Sequence, residues 1–224
     1  DGLLDGMLAL AETHRIAVIG GNISRSPGPL IVDVTATGTV RRRRILTRAG
    51  ARPGDVVYVT GAIGDALVGL KSLQRGGSPS LVEQERRYLR PEPRVRTGLV
   101  LGGNRAATAC MDLSDGLADA ARQIAEASQV GITLDAGLLP INDAVRRWHR
   151  DEGRDPVIGA LESGEDYELL FTVRKAHEGR LRAVRRAVAG VPITRIGVVT
   201  KDSRVSIKTA DGEQPLPEGY QHFR

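Results

Sequence analysis

The stretch AATACMDLSDGLADAARQIAEA, residues 106–127, places two carboxylates and a hydroxyl beside an apolar run. Its first part, Ala106 to Met111, is small and apolar, and its second, Leu117 to Ala127, has helical spacing. This pattern predicts a strand-to-helix junction. At such a junction Ser114 is expected to act as an N-cap, with the first free N–H groups pointing outward and Asp112 and Asp115 flanking the opening. That arrangement suits a phosphate carried with a divalent metal, because the helix end meets the anion while hard carboxylate oxygens hold Mg²⁺ bridged to it. A simple Asp/Ser cap without a ligand accounts for the same residues, and the stretch by itself leaves both readings open.

Downstream, Ile132 to Leu134 reads as a short strand, Pro140 to His149 as a helix, and Leu169 to Val173 as a strand. A helix is expected over Glu178 to Val188, with strands at Ile193 to Val199 and Val205 to Ile207. Upstream, Val56 to Thr60 reads as a buried strand, followed by the turn Gly61-Ala62-Ile63-Gly64 and a helix from Asp65 to about Leu73. That turn has the form of an anion site but lacks the lysine of a P-loop. A charged helix over 81–90 must stop before Pro91, and a helix resumes beyond Arg94 toward Leu101. Strands alternate with helices from 56 to 207, which predicts an α/β or α+β layered domain.

Nearer the start, residues 2–13 read as an amphipathic helix, Arg15 to Ile19 as a short buried strand, and Leu30 to Val40 as a strand pairing back. Between them lies a loop rich in glycine and hydroxyls, Gly20 to Pro29, where glycines at a strand end permit close approach of phosphates and Arg25 could pair with them. A hairpin connection explains the same glycines. The segment Arg48 to Asp55, with Gly50, Pro53 and Gly54, is the best candidate for a linker between two units.

A second acidic cluster, Glu165, Asp166 and Glu168, enters the strand at Leu169. Three carboxylates there are costly unless cations or donors relieve them. Alternation would turn Asp166 and Glu168 to one face and Glu165 with Tyr167 to the other. Exposed charges that discourage edge pairing would look the same.

Composition narrows the classes. One cysteine, Cys110, excludes a disulfide framework within the chain and a cysteine metal cluster, and a reducing cytosol fits best. No apolar run approaches the roughly 18–20 residues of a membrane span. The formal charge of +5 comes from scattered arginines, apart from Arg41 to Arg44, and two Phe, one Trp and four Tyr leave few platforms on which bases could stack. No nucleic-acid or membrane partner is therefore expected. His14, His149, His177 and His222 are scattered, and each is expected on the surface or in packing.

Seven motifs occur together in order: GGNISR at 20–25, LTRAGARPGD at 46–55, VTG at 59–61, LRPEPR at 89–94, DLSDGL at 112–117, SGEDYEL at 163–169 and GYQHF at 219–223. Their order and spacing resemble the thiamine-monophosphate kinases, members of the superfamily of aminoimidazole ribonucleotide synthetase and selenophosphate synthetase. The resemblance covers essentially the whole chain. It implies transfer of the γ-phosphoryl of ATP to thiamine monophosphate, with ATP as co-substrate, Mg²⁺ as cofactor and a cytoplasmic homodimer as the working form. It also implies that residues 1–46 end an N-terminal α+β domain that pairs across the dimer, and that 47–224 form a layered C-terminal α/β domain.

Residue by residue, the resemblance sets Gly21 and Asn22 against ATP, Arg48 on its phosphates and Ser114 in contact with it. Asp112 and Asp115, with Asn22, would hold Mg²⁺, and Glu165 and Tyr220 would lie on the thiamine phosphate side. Family members commonly have aspartate where this chain has Asn22; an amide oxygen can still coordinate Mg²⁺ but supplies no charge. The chain starts at Asp1, already in a helical pattern, and the family's N-terminal acidic motifs are absent from it, so these residues alone are expected to be inactive. Two other readings are a related ATP-using enzyme acting on another small molecule, and a non-catalytic nucleotide-binding homologue, for which Asn22 is the hint.

Overall fold

The computed structural model describes residues 2–219, and the chain divides into two compact units, residues 1–40 and 41–224. In the first unit, helix α1 (Gly2–Thr13) forms as its spacing predicts, yet none of its residues is buried. The two expected strands are not there. Arg15 to Ile19 and Leu30 to Val40 are exposed and contain no strand, with Ile19 91% and Ile31 74% exposed. Alternation and β propensity only make a segment suitable for a sheet; a strand exists where its N–H and C=O groups find a neighbouring strand, and among the described residues no strand pairs with these segments.

The second unit is built on a seven-stranded sheet: β1 (Val56–Thr60), β2 (Ala107–Asp112), β3 (Gly131–Asp135), β4 (Leu169–Val173), β5 (Ile193–Thr200), β6 (Val205–Thr209) and β7 (Gly212–Pro215). Their order across the sheet is β2-β4-β1-β5-β3-β6-β7, and every pairing is antiparallel except β3 with β6. The helices are α2 (Asp65–Gln74), α3 (Val82–Leu89), α4 (Val95–Asn104), α5 (Leu117–Ser128), α6 (Asp143–Asp151), α7 (Pro156–Leu161) and α8 (Glu178–Ala187). The architecture is thus mixed α/β, as expected.

Apolar runs in the central strands are continuous because both faces of the sheet are covered. Val57 and Val59 of β1, Met111 of β2 and Leu170 of β4 face one core with Leu117, Ala121 and Ile124 of α5. Val56, Tyr58, Cys110, Phe171 and Val173 face the other, packed on Leu101 of α4 and Leu181 and Val184 of α8. The rings of Tyr58 and Phe171 stack there with centroids 5.7 Å apart. Each buried large side chain contributes about 1.5–3 kcal/mol, so the two cores fix where the ends of β2 and β4 lie.

Candidate active site

Strand β2 ends at Asp112 and β4 begins at Leu169, so the two acidic motifs meet at one edge of the antiparallel β2/β4 pair, where Asp112 is opposite Leu169. Backbone bonds join them. Leu113 N donates to the Glu168 carbonyl at 2.8 Å, Tyr167 N to the Leu113 carbonyl at 3.1 Å, and Glu165 N to the Ser114 carbonyl at 2.7 Å. Gly116, at φ +95°, comes so close to the Ser163 carbonyl that a Cβ there would collide with it.

This packing moves the start of α5. Ser114 is not its N-cap: the helix begins at Leu117, and Gly116 stands at the capping position without a side-chain cap bond. The chain needs those residues to run past the Ser163–Tyr167 loop, and the helix opens only after that crossing. Asp112 is exposed, and Ser114 and Asp115 are half-buried.

The second motif divides as alternation predicts. Glu165 is exposed, and the Tyr167 hydroxyl donates to its Oε2 at 3.0 Å. Burial, the bond to Glu165, and the charges of Glu165, Asp112 and Asp115 all push the Tyr167 phenol upward, so three carboxylates bear on one ring. A site of that charge and hardness fits a divalent cation bridged to phosphate oxygens, although no group of three or more His, Cys, Asp or Glu poised for a metal occurs among the described residues. Asp112 and Asp115 are the residues that would hold such an ion.

Asp166 and Glu168 turn inward and serve other ends. The Asp166 carboxylate accepts from Gly64 N at 2.8 Å and Ala66 N at 3.3 Å. The Gly61 to Gly64 turn, which has the form of an anion site, therefore holds the chain's own carboxylate at the N-terminus of α2. Burial pushes this carboxyl up to about 7, against the opposing pull of the Gly64 and Ala66 amides. Glu168 is fully buried and accepts from Arg94 Nε at 2.7 Å, Arg94 Nη2 at 2.6 Å, Arg87 Nη2 at 2.9 Å and Thr60 Oγ1 at 2.5 Å. The crowding of carboxylates is relieved by Arg94 from the LRPEPR motif and by Arg87 just ahead of it. The pairing was not specified by sequence; its signal was that a buried carboxylate demands cations.

Of the remaining predicted residues, Arg48 lies apart from this edge. Arg48 is exposed; Cys110 N donates to the Thr47 carbonyl at 2.8 Å and Ser128 Oγ to the Arg48 carbonyl at 3.2 Å. Its backbone thus sits by the end of α5 remote from Ser114. Gly21 and Asn22 belong to the first unit, exposed and outside any helix or strand. Tyr220 lies outside the described residues. His149 is a packing residue, fully buried, with neither ring nitrogen hydrogen-bonded to a described residue and its imidazole pushed down chiefly by burial. Cys110 is buried, its thiol pushed up to about 12 by burial and by the Asp112 charge.

Residues 52–209 match the C-terminal domain family of AIR synthase related proteins. Thiamine-monophosphate kinase from Escherichia coli K12 is 38% identical over 225 residues, covering 98% of this chain and 67% of that protein. The chain belongs to the thiamine-monophosphate kinase family. The enzyme of the same name from Bacillus subtilis strain 168 is 36% identical, covering 99% of this chain and 69% of its own length, so the chain spans about two thirds of such relatives. Among solved structures, thiamine-monophosphate kinase from Stenotrophomonas maltophilia K279a superposes with a TM-score of 0.77 at 34% identity, covering 91% of this chain and 65% of that one. AaThiL complexed with AMPPCP and TMP gives a TM-score of 0.67 at 32% identity, covering 80% of this chain and 54% of that one. The family's enzymes are phosphotransferases that phosphorylate thiamine monophosphate with ATP. No helix among the described residues is long and apolar enough to cross a membrane.

Proposed function

We propose that this chain carries out its family's reaction, transfer of the γ-phosphoryl of ATP to the phosphate of thiamine monophosphate, with the paired acidic loops as its phosphate-handling centre. The observation that supports this most is that backbone hydrogen bonds from Glu165 N to the Ser114 carbonyl and from Tyr167 N to the Leu113 carbonyl hold the Asp112–Asp115 loop against the Glu165–Tyr167 loop. Two phosphates repel, so the work of such a site is to neutralise and align them for in-line attack. The chemistry Mg²⁺ supplies when bound is that neutralisation. Asp112 and Asp115, with Asn22, would hold the ion; Gly21, Asn22, Arg48 and Ser114 would bind ATP; Glu165 and Tyr220 would bind the thiamine phosphate. An acceptor phosphate already carries a nucleophilic oxygen, so no side-chain nucleophile or strong general base is needed.

Residues 1–46 are assigned to the end of an N-terminal domain and 47–224 to the C-terminal α/β domain, working as a cytoplasmic homodimer. The test is Mg²⁺-dependent formation of thiamine diphosphate by the full-length protein beside its Asp112→Asn and Asp115→Asn variants. Loss of at least about a hundredfold in both variants is expected. ATP binding without thiamine diphosphate formation by the unaltered protein would defeat the reading.

A further inference from the structure

Five arginines surround a hollow on the second unit. It measures about 390 Å³ and is lined by Arg41, Arg42, Arg43, Arg44 and Arg105 with Gly103. Beside it a second hollow of about 260 Å³ shares Arg43 and Arg105 and adds Arg174, His177 and Arg180. No carboxylate lines either hollow. Among the described residues no ion pair engages Arg41 to Arg44, Arg105 or Arg174, while Arg180 Nη1 donates to the Arg105 carbonyl at 2.9 Å.

The fold gathers these charges rather than leaving them on a loose tract. Arg42–Arg44 form a turn of 3₁₀ helix, and the Arg44 carbonyl packs so closely on Gly102 of α4 that no Cβ would fit there. Arg105 closes α4 in the left-handed conformation at φ +50°, and Arg174 follows the last residue of β4. Like charges held this close repel, and an anion that bridges them relieves the repulsion.

The hollows stand apart from the acidic loops, while Leu46 and Gly50, which flank Arg48, also line the second. Arg105, Ala107 and Thr108 stand at the start of β2, whereas Asp112 ends it. At about 3.3 Å per residue the two ends are on the order of 16 Å apart.

We infer that the arginine-lined hollows are a binding site for a small anion carrying two or more linked phosphate groups, distinct from the site at Asp112 and Asp115. Several forked guanidiniums from different elements match several phosphates better than one, because each fork can bind two oxygens. The volume admits a small molecule. No aromatic ring other than His177 lines the hollows, so the site offers charge without a stacking platform for bases, which favours an oligophosphate over a nucleic-acid strand.

The experiment is calorimetric titration of the full-length protein with inorganic tripolyphosphate in Mg²⁺-free buffer at low and near-physiological salt. The unaltered protein is compared with Arg43→Gln, Arg43→Gln/Arg105→Gln, Arg43→Lys and Asp112→Asn, each checked by circular dichroism for folding. Saturable binding is expected, weaker by about tenfold in Arg43→Gln and further in the double variant, and partly kept in Arg43→Lys. It should be unchanged in Asp112→Asn, and weaker as salt rises. Absent saturation, equal affinity in the folded arginine variants, or loss in Asp112→Asn alone would overturn the inference. So would affinity for single-stranded oligonucleotides that exceeds that for tripolyphosphate and grows with strand length.

Discussion

Replacing Glu168 by glutamine should destabilise the second unit sharply without altering its shape. The carboxylate is fully buried and takes four hydrogen bonds, from Thr60, from Arg87 and twice from Arg94. The two arginine side chains are only 16% and 11% exposed, so water cannot take over once the charge is gone. Breaking a buried pair by removing one partner costs about 3–5 kcal/mol, and the isosteric amide, which keeps one acceptor oxygen, should fall near the lower end. Each kcal/mol shifts the melting temperature of a domain of 150–250 residues by about 2–4 °C, so Glu168→Gln should melt about 6–12 °C lower. The assay is thermal unfolding followed by circular dichroism. Glu168→Leu combined with Arg87→Met and Arg94→Met, which removes all three charges, should recover much of the loss. A fall of less than about 2 °C in Glu168→Gln would refute the reasoning, since the carboxylate would then not be what satisfies the arginines.

Asp166 should make stability depend on pH in the opposite sense to an ordinary paired carboxylate. Its folded-state value of about 7 lies above the usual carboxylate range, so between about pH 4 and 7 the folded chain binds more protons than the unfolded one and stability falls as pH rises. Urea midpoints at pH 5 and pH 8 should therefore shift against the unaltered protein relative to Asp166→Asn, and a constant gap would contradict the sign. Gly159→Ala should cost about 1–3 kcal/mol, because the added methyl would meet the ring of the fully buried His149. In the His149→Ala background the same substitution should cost much less, read from a double-mutant cycle in denaturant; additive costs would show that the ring is not the obstacle.

Much of the second unit was legible because its chemistry is redundant. Val56 to Thr60 and Leu169 to Val173 are apolar throughout, as strands covered on both faces must be, and Pro91 forces the gap between α3 and α4. What was not legible depends on partners distant in sequence. β7 reads Gly-Glu-Gln-Pro, with no apolar signal, and exists only because β6 offers it a pairing edge. α7 hides in six residues, although the Asp155 carboxylate capping Val157 N and Ile158 N, with Pro156 at its first turn, is a local start signal. The strands expected at 15–19 and 30–40 fail for the converse reason: the signal is present, and among the described residues no strand pairs with them.

The candidate site shows how the same limit shapes function. Alternation correctly turned Asp166 and Glu168 inward, yet no strand spans them, for β4 begins at Leu169. The inward turn is instead produced by two left-handed residues, Glu165 at φ +67° and Tyr167 at φ +50°. Each such non-glycine residue costs about 1–2 kcal/mol, which the buried bonds of Asp166 and Glu168 offset. Because the neighbours on both sides are anchored, to the α2 amides and to the two arginines, Glu165 and Tyr167 are held outward toward Asp112 and Asp115. The strained residues are those that face the candidate phosphate site, and the buried ones supply the restraint that keeps them there.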